Sequence, residues 1–170
     1  MTIGVYPGTF DPITYGHLDI AKRASLLFDK LIIAVYENPG KKPLFSLQQR
    51  VELIEQAIIG WPNVQVEPFH GLAVDFVQKV GGKVMVRGLR VSSDFEREFE
   101  MALMNKKLAP DIELVCLMTS VQYQFLSSSL IKEVAMLGGC LEDLVSDHVA
   151  AALREKFSSN LAKLSTARVR

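Results

Sequence analysis

The sequence has no surplus of either charge: 19 Lys and Arg face 19 Asp and Glu, and the pI is near 6.8. Broad electrostatic capture of nucleic acid or of an anionic membrane is therefore not expected, although local clusters can still bind phosphates. Cysteine is scarce. Cys116 and Cys140 lie in apolar surroundings without CxxC spacing, which excludes a disulfide framework and a zinc site and fits a reducing cytosol. No uncharged apolar run approaches the ~20 residues needed to span a bilayer, and the start has no basic segment followed by an apolar one. The expectation is a cytoplasmic protein with no membrane and no nucleic-acid partner. Internal repeats, low-complexity segments and interior linkers are also lacking. With 170 residues and 49% hydrophobic content, one domain over residues 1–157 with a single compact core is predicted, followed by a polar, basic, flexible tail over 158–170.

Strand and helix signals alternate five times. "TIGVY", "KLIIAVY", "VQVEPF", "KVMVRGLR" and "ELVCLMT" are mostly continuous Val/Ile/Leu runs, the pattern of strands buried on both faces. Between and after them come helix-like segments: "HLDIAKRASLLF", a helix capped by Ser46 with Gln49 at capping-box spacing, "AVDFVQKV", "SDFEREFEMALMNKKL" and "LSSSLIKEVAMLGG". The predicted fold class is α/β: a single-domain, Rossmann-like, doubly wound sheet of five parallel strands with helices on both faces. Ligands of such sheets bind beyond the carboxyl ends of the strands, where the winding reverses.

The loops at those ends hold an uneven inventory. Thr9 and His17 follow the first strand, Lys41 and Lys42 the second, Arg87 and Arg90 the fourth, and Ser127, Ser128 and Ser129 the fifth. Helix starts offer unpaired N–H groups and partial positive charge, so these residue types point to phosphate binding. Gly8 is expected to let a ligand approach the backbone, and Pro7 and Pro12 to stiffen the loop. Neither GxGxxG nor GxxxxGK(S/T) occurs, which excludes a dinucleotide fingerprint and a Walker loop. Blander readings stand beside these. Arg87 and Arg90 can pair with Asp94 and Glu98, the serines can be a helix cap, Lys42 a solvated charge, and His70 and His148 have no evident partner. "EFEMALMN" reads as core or subunit interface.

"TYGH" resembles the (H/T)xGH signature of the nucleotidyltransferase superfamily. Together with "YPGTFDPITYGH", "NPGKKPLFS", "VRGLR", "DFEREFEMALMN" and "QFLSSSLIKEVA", in that order, it resembles the bacterial phosphopantetheine adenylyltransferases, from about residue 3 to about residue 157. The resemblance implies adenylyl transfer from ATP, with magnesium, to 4′-phosphopantetheine, giving dephospho-coenzyme A and pyrophosphate in the penultimate step of coenzyme A biosynthesis. It further implies a homohexamer and coenzyme A as a feedback ligand. It assigns Thr9, Phe10, His17, Gly88, Leu89, Arg90, Glu98 and the run Tyr123, Gln124, Phe125, Leu126, Ser127, Ser128 and Ser129 to the ATP site. Thr9, Lys41, Ala73 and Arg87 go to phosphopantetheine, with Asn105 and Glu133 as weaker candidates for its arm. His17, Lys41 and Arg90 are the implied catalytic set, and no metal-ligating residue is implied. Tyr15, Leu126 and Ala73 depart from the family's commoner residues; only Ala73 touches a substrate contact. A sibling nucleotidyltransferase acting on nicotinamide mononucleotide, or using CTP for an alcohol phosphate, shares the loop and the serines but is disfavoured by "KKPLFS" and "RGLR". A noncatalytic nucleotide sensor would bind ATP without releasing pyrophosphate. A class I aminoacyl-tRNA synthetase is disfavoured by the short chain and the lack of a KMSKS-like segment.

Overall fold

The computed structural model describes residues 1–37, 39–40 and 42–158. Five strands, β1 (Ile3–Gly8), β2 (Lys30–Tyr36), β3 (Val64–Phe69), β4 (Val84–Leu89) and β5 (Glu113–Met118), form one parallel sheet in the order β3-β2-β1-β4-β5. The helices are α1 (Tyr15–Ser25), α2 (Leu47–Ala57), α3 (Ala73–Lys79), α4 (Ser92–Leu108), α5 (Ser128–Met136) and α6 (Asp147–Lys156), with a short 3-10 turn at Val121–Tyr123.

Both faces of the central strands are covered, as their uninterrupted apolar runs require. Leu31, Ile33 and Val35 of β2 pack with Ala21, Val51 and Ile131, while Ile32 and Ala34 on the other face pack with Val74 and Val77 of α3. The period-two alternation of strand side chains makes one strand the centre of two cores. Ser46 accepts from Gln49 N–H at 3.2 Å and Gln49 Oε1 accepts from Ser46 N–H at 3.1 Å, the expected capping box.

Three elements differ from expectation. α1 begins two residues earlier than His17, on a Thr14 cap, and stops at Ser25, short of the "LLF" that the sequence included in this helix, so that Leu26 and Leu27 are exposed. α6 was not predicted; Val149, Ala150 and Leu153 bury one face of it, and Leu53 O lies 2.9 Å from Nε2 of His148, which therefore has a partner. α4 buries none of its residues. Phe95, Phe99, Met101, Leu103 and Met104 are each about half exposed, so the core reading of that stripe does not hold. Cys116 and Cys140 are exposed as well.

The sheet opens at its middle. β1 and β2 stay in register from Ile3↔Lys30 to Gly8↔Val35, whereas β1 and β4 pair only at Gly4↔Val84 and Val5↔Met85. Beyond Val5 these two strands diverge, and the winding reverses at the same place, which leaves a crevice at their carboxyl ends.

Candidate active site

The loop after β1 is held by its own backbone chemistry. Phe10 occupies the left-handed region (φ 47°), and the Asp11–Pro12 peptide is cis. Gly8 makes room for the Phe10 ring: a Cβ there would stand 2.7 Å from it. Thr14 then caps α1. His17 N–H donates to Thr14 Oγ1 (3.3 Å), and Thr14 N–H donates to His17 Nδ1 (3.1 Å), a capping box in which histidine fills the place usually taken by glutamate or glutamine. The second bond fixes the ring and its tautomer, because an Nδ1 that accepts leaves the neutral ring's proton on Nε2. Burial, and then the nearby Arg90 and Arg87, push the His17 pKa down to about 4. At neutral pH His17 is an uncharged hydrogen-bond donor, so charge cancellation at this crevice falls to the arginines.

Those arginines come from the end of β4. Arg87 lies across the opening, with Nη1 donating to Pro7 O at 2.8 Å and Nε and Nη2 gripping Glu98 at 2.7 and 2.5 Å. Arg90 donates to Asp94 from Nε (3.1 Å) and Nη2 (3.2 Å), and from Nη1 to Leu126 O (3.0 Å). Both ion pairs foreseen in the structural reading exist, and they join β4 to the otherwise unburied α4.

The exit of β5 completes the crevice. Asp19 of α1 accepts from Ser120 N–H (3.0 Å) and Ser120 Oγ (2.8 Å), and Tyr15 and Tyr123 face each other with ring centroids 6.2 Å apart. Ser127 caps α5 by accepting from Leu130 N–H, Ser128 Oγ donates to Pro12 O at 2.8 Å, and Ser129 is exposed in the first turn. The loops after β1, β4 and β5 thus converge: Phe10 packs edge-on to His17, Arg90 reaches Leu126, and Ser128 reaches Pro12. Gly88 and Leu89 lie between the two arginines, where a Cβ on Gly88 would come within 3.0 Å of Ile20.

For the other sequence candidates among the described residues the structure shows no side-chain hydrogen bond to Arg87, Arg90, His17 or the α5 serines. Ala73 begins α3 beyond the edge strand β3 and packs with the opposite core. Phe125 is exposed, the Gln124 side chain donates to Thr119 O at 3.5 Å, Asn105 touches Met85 Sδ at 3.9 Å and Glu133 is exposed on α5. Lys41 lies outside the described residues. Sequence reasoning missed the groups that lock the loops. Asp11, 5% exposed, accepts from Leu44 N–H and Phe45 N–H, both at 2.9 Å, and from Lys132 Nζ at 2.6 Å. The signal for Lys132 was its place four residues after Ser128, on the same helix face.

Open parallel sheets bind their ligands at the switch point, and residues 5–134 of this chain match the family model described as cytidylyltransferase-like. That places the chain in the nucleotidyltransferase class. A solved Vibrio parahaemolyticus structure, given as a nicotinate-nucleotide adenylyltransferase, has the same fold, with a TM-score of 0.68 at 16% identity over 92% of this chain and 95% of that one. A lipopolysaccharide core biosynthesis protein from Thermoplasma volcanium gives 0.52 at 25% identity, over 71% of this chain and 97% of its own. Much nearer are the phosphopantetheine adenylyltransferases of Caldanaerobacter subterraneus, 54% identical over 94% of this chain and all of theirs, and of Thermomicrobium roseum, 58% identical over 90% and 93%. That of Clostridium tetani is 55% identical over 92% and 98%. The chain belongs to the phosphopantetheine adenylyltransferase family.

Proposed function

We propose that the chain transfers the adenylyl group of ATP to 4′-phosphopantetheine, releasing pyrophosphate and forming dephospho-coenzyme A. The observation that carries this is membership of that family along nearly the whole chain, with the crevice intact at the switch point. A phosphate oxygen of the acceptor attacks the α-phosphorus as the bond to the β-phosphate oxygen breaks. The attacking group is already an anion, so the site needs no general base and no covalent intermediate; it needs alignment and stabilisation of growing negative charge.

We assign the parts accordingly. His17 Nε2–H donates to the α-phosphate, and Arg90 with the amides at the start of α5 receives the departing pyrophosphate. Thr9 and Phe10 sit between the two substrates, Gly88, Leu89, Glu98 and residues 123–129 line the nucleotide, and Arg87, Lys41 and Ala73 hold phosphopantetheine. Each arginine keeps N–H groups beyond those its carboxylate occupies, so phosphate can bind before or in place of Glu98 and Asp94. Among the described residues no cluster of three His, Cys, Asp or Glu side chains is placed to hold a metal ion, and we place magnesium on the nucleotide's phosphates, as part of the substrate. No helix among the described residues is long and apolar enough to cross a membrane, and cytoplasmic action follows from the substrates. The uncovered apolar row of α4 supports assembly into the homohexamer, and coenzyme A, which shares both half-sites' chemistry, acts as product-like inhibitor.

The test is pyrophosphate release from ATP with a panel of phosphorylated acceptors. Turnover with phosphopantetheine alone is expected. Turnover with nicotinamide mononucleotide, or with CTP and an alcohol phosphate, would assign the chain to a sibling reaction, and ATP binding without any release would make it a sensor.

A further inference from the structure

Arg50, on α2, is a full positive charge at only 2% exposure, with no carboxylate in ion-pair contact among the described residues. Its Nη1 donates to Thr9 O at 2.6 Å and Tyr36 O at 2.9 Å, while its buried Nε has no partner. A buried guanidinium with an unused donor is costly, and replacement by an apolar side chain is often neutral or stabilising. Stability alone therefore does not account for arginine here.

Its location does. The β1–β2 ladder ends at Gly8↔Val35, and Arg50 takes up the carbonyls just past that end on both strands. Because the Thr9–Phe10 peptide is planar, holding Thr9 O toward α2 turns the Phe10 N–H the opposite way, and that N–H has no protein partner among the described residues. The same two loops are tied a second time by Asp11, which accepts from Leu44 and Phe45 at the far end of the β2–α2 connection. Arg50 fixes the near end at Tyr36. Lys41 lies in sequence between these anchors.

We infer that Arg50 is a positioning residue for the acceptor's phosphate: it sets the mutual placement of the loops after β1 and β2 and keeps the Thr9–Phe10 amide N–H turned away from α2. This rests on the adenylyltransferase reading above. Arg50 acts on the substrate only through the loops: through two carbonyls, and through a charge beneath them that Asp11 and Glu37 offset from a distance without an ion-pair contact.

The experiment compares Kd for 4′-phosphopantetheine, for pantetheine, which lacks the phosphate, and for ATP, by calorimetry on the wild type, Arg50→Met and Arg50→Lys. The wild type is expected to prefer the phosphorylated acceptor. In Arg50→Met that preference falls about 30-fold, the scale of a lost charged-group hydrogen bond, while pantetheine stays within about twofold and ATP, which also borders Thr9 and Phe10, weakens by less than the phosphorylated acceptor does. In Arg50→Lys it falls about tenfold, since an ammonium lacks the planar fork. If the methionine variant does not fold, the lysine variant carries the test. Folded variants that keep the wild-type preference overturn the inference alone. A wild type with no preference for the phosphorylated acceptor overturns the functional reading and the inference with it.

Discussion

The two sides of the crevice are held in different ways. On the β1 side, the loop carrying Thr9 to His17 is fixed by buried groups: the Phe10 ring under Gly8, Asp11 with its three donors, and the Thr14–His17 box. On the β4 side, Arg87 and Arg90 project from a strand that has parted from β1 and are tied to α4, a helix that buries nothing. In the proposed reaction the groups that would have to be in place when the barrier is crossed sit on the rigid side. The groups that would exchange a carboxylate for a phosphate in that reaction sit on the side joined by ion pairs, of which the partly exposed Arg90–Asp94 pair is the less stabilising.

If this division is right, the largest single loss of function comes from the rigid side. His17→Ala is expected to lower kcat at least a hundredfold, about 3 kcal/mol in the barrier, with ATP affinity changed far less. Steady-state kinetics alongside ATP titration would check this, and an unchanged kcat in a folded variant would remove His17 from the α-phosphate.

That same rigid side shows how far the sequence could be read. Continuous apolar runs identify β1 and β2 because burial on both faces leaves no other pattern, and the Ser46–Gln49 spacing gives the start of α2. Thr9, His17, Arg90 and Ser128 were legible because each follows a strand end, where an open parallel sheet collects its ligands. Arg50 was not. On a helix, an arginine among glutamines and glutamates reads as a solvated charge, and only the meeting of Thr9 O and Tyr36 O shows it to be buried. The helix α4 was legible from end to end, but the exposure of its apolar row was not, since Met and Phe at that spacing read equally as a core face or a subunit interface. The apolar short face of α6 was passed over because Ala-rich stripes carry little contrast.

Asp11→Ala should give the next largest effect, this time on stability. It leaves the Lys132 ammonium and the amides of Leu44 and Phe45 without their acceptor, a loss of about 3 kcal/mol by urea denaturation. A loss below about 1 kcal/mol would mean that the β1 loop is no more firmly held than its neighbour.

Acid titration sharpens the contrast. His17 is held neutral in the fold, with its pKa at about 4 against 6.5 in the unfolded chain, so below pH 6.5 the unfolded state binds the proton and the folded state does not. Stability from this group is complete above the unfolded value and is lost as pH falls toward about 4. Between pH 7 and pH 4.5 the wild type should lose roughly 2 to 3 kcal/mol more than His17→Gln, measured as the difference in their urea midpoints at the two pH values. Equal losses in both proteins would show that the ring is not buried away from its proton.

The smallest effect belongs to the exchangeable side, and it separates the two regions most directly. Asp94 is partly exposed, and Arg90 keeps a second acceptor in Leu126 O when the carboxylate is gone, so Asp94→Ala strands no buried charge. Its stability cost should stay below about 1 kcal/mol. If Arg90 trades this carboxylate for phosphate as proposed, ATP affinity in this variant should hold or rise at low ionic strength, and any gain should fade as salt screens the partly exposed pair. A destabilisation as large as that of Asp11→Ala would show that the ion pairs of α4 are structural anchors, and that the arginines are not free to trade one anion for another.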